Sequence, residues 1–594
     1  MKLVIPHTGE VRAADARLIR LAEFLGIRCE PLRLHKQVQQ RAAYIERVVP
    51  DQNTCLVINL HVMREWIGGD VLPPDLVSCL LSHFSHLLIH GVTLDPFVAV
   101  MIAALSSGRL RSVRPITDGG QPYEISSNSK DFCGPFSGLS FGPVNVANDR
   151  VLAVSAGDST VRKLICIGGR PIMAAVNRDK TDILFLGSED IADINAEDGY
   201  APLSDYFSRV MPHAMALRYI FGEECWRPGK PHASIIIDDP LLRRDYGYLN
   251  FQTLLGLMEE YNFHTAIAFI PHNYRRNSPQ TIRMFRENPH RLSICFHGND
   301  HTKGELASTD AAILNTMLGI GETRIKVLEQ KTGLRCDRVM VLPQGAFSVE
   351  AMEVLKSRNF HAAVNTIPRP LGQPISLKIA DFARPAMLRY GGFPLFTRTY
   401  VKKTQSHDIA FNLFFGRPVL IVEHQDIFKQ PGSLVEVVQK VNSVAPGIVW
   451  SNLESAVDNS ILRRRTPDGT VQVRAYSSNV CITNDSASTE RVSIIWEQAG
   501  QSSPFEQVLR DGTPFPGVEA DDAGIRVVGE LAPRTSQTFS VVYGNRHATL
   551  GSLGFRWDVK AILRRRLSEM RDNYLSKNQY VLTGAKTLQR RFLK

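Results

Sequence analysis

The chain has 594 residues, too many for one hydrophobic core, so several domains are expected. Apolar residues at 44% and charged residues at 22% place it among folded globular proteins and exclude a disordered or fibrous class. The net charge of +10 is concentrated at the end of the chain. Residues 556–594 hold eleven Lys or Arg against three acidic residues, so the rest is nearly neutral.

No stretch of about 20 residues is continuously apolar, which argues against a membrane-spanning helix. The opening MKLVIPHTGEVRAADARL reads as a strand and turn rather than a secretory signal. The nine cysteines are scattered singly, with no CxxC pair, which suits free thiols in a reducing compartment. A cytoplasmic location is therefore expected.

Residues 1–112 alternate strand and helix patterns: Lys2–Pro6, Ala14–Gly26, Thr54–Leu60, Leu76–His83 and Leu87–Gly91. Such βα alternation predicts a parallel α/β sheet of Rossmann or flavodoxin type. From 113 to 229 the texture turns to short β-rich runs (Val151–Ser155, Arg162–Ile167, Pro171–Val176, Asp182–Gly187) followed by a linking helix at Leu203–Phe221. This N-terminal arrangement resembles inactive glutamine-amidotransferase-like domains. Its nearest counterpart to their nucleophile turn, Leu164-Ile-Cys166-Ile-Gly168, lacks the first Gly, so Cys166 reads as a small buried hydrophobe. Residues 230–460 return to βα alternation. Residues 461–550 carry alternating apolar and polar positions with turn signals, which predicts a small antiparallel β-sandwich. Residues 551–594 are a basic tail with an amphipathic helix at 556–580. Such a tail suits an anionic membrane surface or acidic polymer, or packs back on the body with its charges solvated. No aromatic-interleaved basic platform suggests nucleic acid. The oligomeric state is left open.

The chemistry lies in 230–460, where polar residues stand at the ends of apolar strands. The runs are Ala233–Asp238 followed by Asp239-Pro240, Leu292–Phe296 followed by His297-Gly-Asn-Asp-His301, Val339–Leu342 followed by Pro343-Gln-Gly345, and Val419–Glu423 followed by His424-Gln-Asp426. Strand C-terminal ends of parallel α/β folds gather on one face and build active sites. Two imidazoles and a carboxylate suit a borderline cation, Zn²⁺ foremost, with Co²⁺, Ni²⁺ or Mn²⁺ as substitutes. Asp239, His297 and His301 are the expected ligands. The spacing of His297 and His301 brings both rings to one point if a helix starts directly after the strand. Asp238 then stands beside the ligands as general base, and His424 opposite as general acid for a leaving amine. Asp426, two residues on along a strand, is placed to orient His424. His272, Asn273 and Glu305, together with Asp245-Tyr246-Gly247, are further candidates to touch substrate or orient ligands.

The order Asp-Asp, HxxxH, Pro-x-Gly and a late strand ending in His resembles the NodB-homology polysaccharide deacetylases of carbohydrate esterase family 4. The resemblance covers about 230–455. It implies a distorted seven-stranded (β/α) barrel that removes N- or O-acetyl groups from a carbohydrate with one divalent metal. By position it implies Asp238 as base, Asp239, His297 and His301 as ligands, and His424 as acid. Departures are Pro240 in place of a Gly, and a Pro343 segment lacking the Arg that braces the base and an aromatic before Gly. Arg338 or Arg384 is the expected spatial substitute. Two rival readings remain: a non-catalytic carbohydrate-binding or scaffolding protein on a degenerate barrel, and a carboxylate glycosidase using Asp238 with Glu423 or Asp426.

Overall fold

The computed structural model describes residues 1–575 apart from 39, 50, 52, 199–201, 303, 498–503, 522–523 and 545–554. The chain forms two compact units. The first comprises Met1–Arg227 with Ser376–Ala383 and Arg464–Asp468. The second comprises Pro228–Ile375, Arg384–Arg463 and Gly469–Lys594.

In the first unit a parallel set runs in the order Cys29–Arg33, Lys2–His7, Thr54–Asn59, His86–His90, Thr181–Leu186. The central strands read as near-continuous apolar runs because helices cover both faces; all six residues of Thr54–Asn59 are buried. Thr181–Leu186 pairs in parallel with His86–His90 and antiparallel with Arg170–Arg178. Strands from 1–112 and from its β-rich continuation 113–229 therefore share one sheet. The predicted linking helix is a 3₁₀ turn, Leu203–Tyr206, running into an α-helix, Phe207–Phe221. Cys166 lies within the strand Arg162–Ile167, and burial pushes its thiol up to about 11, the opposite of an activated nucleophile. All nine cysteines are free.

The second unit carries the predicted alternation of strand and helix. Strands His232–Asp238, Thr265–Phe269, Leu292–Phe296, Cys336–Val341, Ala362–Asn365 and Phe393–Thr397 lie side by side in chain order, all parallel. Val419–His424 flanks the first of them on its other side. The segment 393–400 closes the curl. Its first half pairs with Ala362–Asn365, and Thr399–Tyr400 pairs with Val419–His424. Arg398 sits at the crossing. Helices between the strands start at side-chain caps: Asn250, Ser278, Asp310 and Ser348 each accept a hydrogen bond from the helical first turn.

Beyond the barrel, Val471–Ala475, Glu490–Glu497, Gly524–Leu531 and Val518–Asp521 form one sheet, and Asn479–Thr483, Ser536–Tyr543, Phe505–Arg510 and Thr513–Pro514 another. One apolar core takes Val473, Ile494 and Val527 from the first and Val480, Val508 and Val541 from the second. The expectation of purely antiparallel pairing is corrected: Val471–Ala475 and Glu490–Glu497 are parallel. The tail helix runs from Phe555 to Met570 and continues as a π-helical turn, Arg571–Leu575; its predicted end at 576–580 lies outside the described residues. No helix among the described residues is long and apolar enough to cross a membrane.

Candidate metal centre

Asp238 is the last residue of its strand, paired in register with His424 and Ala268, so the strand ends bring the predicted clusters to one face. Asp239 follows with φ +80°, a conformation L-residues rarely adopt, which turns the chain sharply as it leaves the sheet. Asp239 Oδ1 lies 3.6 Å from His297 Nε2 and 3.4 Å from His301 Nε2. One donor atom from each of the three falls within 4.8 Å of the others.

The imidazoles do not converge through a helix. Residues 297–301 are an irregular loop with Gly298 at φ +63° and His301 at φ +56°. This overturns the expected helical spacing: two left-handed residues, rather than one helical turn, aim the rings together. Gly298 is required here, because a Cβ would meet Glu305 Oε1 at 1.6 Å and Pro343 Cγ at 2.6 Å. Glu305 is buried and accepts from the backbone N–H groups of Asn299 (3.1 Å) and Asp300 (3.2 Å), so it braces the loop. Burial, followed by the nearby Asp300, raises its carboxyl well above the usual range. His272 N donates to Asn299 O (2.9 Å), tying the turn Pro271–Asn273 to the same loop, while buried Asn273 accepts from Arg276 at 3.5 Å.

Each ring is oriented through its other nitrogen. His297 Nδ1 meets Val341 O at 2.9 Å, and His301 Nδ1 meets Gln344 Nε2 at 3.4 Å, leaving both Nε2 atoms toward Asp239. His297 is 1% exposed and His301 9%. Burial, despite Asp239, lowers His301 to about 4, so its ring is neutral at physiological pH. Burial works against the Asp239 carboxylate, but the neighbouring His301 and His297, then Arg565, outweigh it and hold the group at about 2.

These residues fit a divalent cation. Asp239 Oδ1 is buried and has no hydrogen-bond partner, although two imidazole nitrogens face it. A carboxylate with two imidazoles is a donor set that Zn²⁺ accepts. A second group of potential ligands, His361, Glu454 and Asp458, does not fit. Asp458 already accepts from Ser477 Oγ (2.7 Å) and Asn479 Nδ2 (2.6 Å) and faces His361, and Glu454 takes Arg335 and the Arg338 N–H. Its lone pairs are used in joining the barrel to the strand Asn479–Thr483.

Asp238 does not point at this orphan atom. It forms a two-pronged ion pair with Arg398, Nη1 to Oδ1 and Nη2 to Oδ2, both at 2.7 Å and both partners about 5% exposed. Burial would raise the Asp238 carboxyl, but Arg398 and then His297 hold it below its ordinary value. Arg398 was missed by the motif reading, though it follows an apolar strand, Phe393–Thr397, as the other site residues follow theirs. The two arginines expected in its place are engaged elsewhere. Arg384 pairs with Glu497 at 2.7 Å, on a strand outside the barrel, and Arg338 pairs with Glu322 at the opposite end of its own strand.

His424 closes its strand, half-buried, and stands in register beside Asp238. Asp426 does not orient it: the strand ends at His424, and Asp426 lies in the following 3₁₀ turn, more than half exposed, 3.5 Å from Lys429. Tyr246 and Gly247 bond the tail, through Asp572 and Asn573. His272 Nδ1 is buried without a hydrogen-bond partner, and its ring, lowered to about 4 by burial and then Arg324, is neutral.

No protein-family model matches the sequence, and no curated protein does. Solved structures do. The carbohydrate deacetylase Agd3 is similar over 91% of this chain and 98% of its own, at 11% identity and a TM-score of 0.45. A putative polysaccharide deacetylase from Mycobacterium smegmatis is similar over 39% of this chain and 93% of its own (16% identity, TM-score 0.27). The peptidoglycan deacetylase PdaC from Bacillus subtilis is similar over 39% and 91% (12% identity, TM-score 0.24). At such identities and scores the likeness carries no activity over to this chain, whose chemistry rests on its own residues.

Proposed function

We propose that the protein is a metal-dependent hydrolase that removes an acetyl or similar acyl group from a carbohydrate. The observation that carries this reading is the orphaned Asp239 Oδ1 facing two oriented imidazoles, beside a second carboxylate held by its own arginine. Asp239, His297 and His301 would hold the cation, most simply Zn²⁺, which when bound supplies a Lewis acid for a carbonyl oxygen and acidifies water. Asp238 takes the proton of the attacking water. Arg398 keeps that carboxylate ionised and fixes its plane, so it is ready to accept. His424, at the end of the neighbouring strand, donates a proton to the departing nitrogen or oxygen. Pro343 and the buried Glu305 keep the His297–His301 loop in the shape that ligation needs.

The carbohydrate and the acetyl group rest on the motif order that resembles the NodB-homology deacetylases. The scaffold reading draws on the missing motif arginine, the missing aromatic and the flanking domains; the Arg398–Asp238 pair answers the first of these. The test is metal content of the purified protein together with acetate release from acetylated chito-oligosaccharides. Stoichiometric metal, with release that Asp238→Asn abolishes while metal stays, supports the proposal. Protein that binds no divalent metal would overturn it.

A further inference from the structure

The tail helix Phe555–Met570 sits on the barrel with its polar face inward. Glu569 accepts from Arg243 (3.1 Å) and Arg276, Asp572 Oδ2 from the Tyr246 hydroxyl (2.8 Å), and Asn573 Oδ1 from Gly247 N (2.7 Å). Ala561, Arg565 and Asp572 are buried on this side. The loops gripped in this way, around 243–247 and 271–276, follow the strands that end at Asp238 and Phe269.

The other side is apolar and open. Val559, Ile562, Leu563, Leu567 and Met570 are 46, 50, 59, 53 and 48% exposed. Steps of three and four residues put them on one face of the helix. A surface helix of a globular protein ordinarily buries such a stripe against the core and shows its charges to water. Here the arrangement is reversed. Single exposed apolar residues need no explanation, whereas a contiguous stripe on a charged helix marks an interaction surface. Arg566 stands within the stripe, 67% exposed with Glu569 at 3.9 Å, and Arg571 beside it is 59% exposed while its Nε donates to Asp572 at 2.6 Å. Long cationic side chains can keep their stems against apolar surface while their heads reach anions.

We propose that this helix docks the protein on an anionic lipid surface, with the stripe in the headgroup–acyl boundary and the arginines on lipid phosphates. Charge decides in favour of lipid. The segment 556–594 has eleven basic against three acidic residues, which complements an anionic bilayer. Two copies meeting through this face would instead bring Arg566 of each together, a like-charge contact. The inference uses none of the metal ligands and stands or falls independently of the proposed activity.

The test is co-sedimentation of the full-length protein with phosphatidylcholine vesicles containing about one-third phosphatidylglycerol, against pure phosphatidylcholine vesicles. Partition onto the anionic vesicles that weakens with added salt is expected, with at least ~10-fold less on neutral ones. Leu563→Glu combined with Leu567→Glu should lower partition by at least ~10-fold while the thermal midpoint is unchanged, since both side chains are exposed. If that double variant fails to fold, Arg566→Gln with Arg571→Gln provides the same comparison through charge. No partition, or partition that neither pair of substitutions reduces, overturns the proposal. So does lipid-free self-association that the leucine substitutions abolish, which would assign the stripe to a second copy of the chain.

Discussion

Arg398 and Asp238, 160 residues apart in the chain, meet through two parallel hydrogen bonds of 2.7 Å where the barrel closes. Arg398 stands between the half-strand that pairs with Ala362–Asn365 and the half-strand that pairs with Val419–His424. The residue that completes the barrel therefore also holds the carboxylate at its mouth. A planar guanidinium satisfies both carboxylate oxygens at once, which a lysine cannot do.

Arg398→Ala leaves Asp238 buried without its counter-ion, and stability should fall by about 3–5 kcal/mol, read by chemical denaturation. In the native protein the depressed carboxyl contributes stability that is present above its unfolded pKa and lost as pH falls through the lower folded value. Without Arg398, burial raises the group, so the acid limb of the rate–pH profile should move upward. Arg398→Lys should move it less. An unshifted acid limb in Arg398→Ala would refute Asp238 as the base.

His297→Ala, His301→Ala and Asp239→Asn should each lose stoichiometric metal, measured by elemental analysis after dialysis. Asp238→Asn should keep it, because Asp238 is engaged with Arg398 rather than with the imidazoles. Full metal retention in both histidine variants would sink the proposed centre.

Gly298→Ala adds a Cβ into Glu305 and Pro343 at φ +63°. A loss of about 1–3 kcal/mol is expected from the backbone conformation, more if the loop cannot shift. Because the loop carries both imidazoles, metal affinity should fall by roughly 10–100-fold, the usual cost of disturbing what supports a ligand. Titration with Zn²⁺ in a competing chelator measures it.

His264 lies 1% exposed just before the strand Thr265–Phe269, and neither ring nitrogen has a hydrogen-bond partner. Burial, followed by Arg291 and His290, pushes its pKa to about 3. Between that value and about 6.5 the unfolded chain binds the proton and the folded chain does not, so stability rises with pH across this window. At pH 5 the term costs about 2 kcal/mol, and His264→Leu should recover most of it while changing little at pH 8. Thermal unfolding at the two pH values is the check. An equal effect at both would show that packing, not protonation, governs the site.

Much was legible in the sequence because the relevant signals are local. Apolar runs such as Ala233–Ile237 and Val419–Val422 announce buried parallel strands, and polar residues directly after them mark the functional face. That rule selected Asp238, Asp239, His297, His301 and His424, which the fold brings to one end of the sheet. It misjudged Asp426 by extending the strand through two further residues, where a 3₁₀ turn begins instead. It also assumed a helix for His297–His301, since spacing alone does not distinguish a helical turn from a loop with two left-handed residues.

What the chain order determined by itself was the alternation of elements, the strand-end grouping and the candidate ligands. Tertiary structure alone decided which arginine meets Asp238, because that depends on how a curled sheet closes and not on nearness in sequence. It also decided the pairing of Arg384 with Glu497 and the inward-facing charges of the tail helix. Local pattern sets how a helix or strand divides its faces, but only the packing of distant segments determines which face is covered.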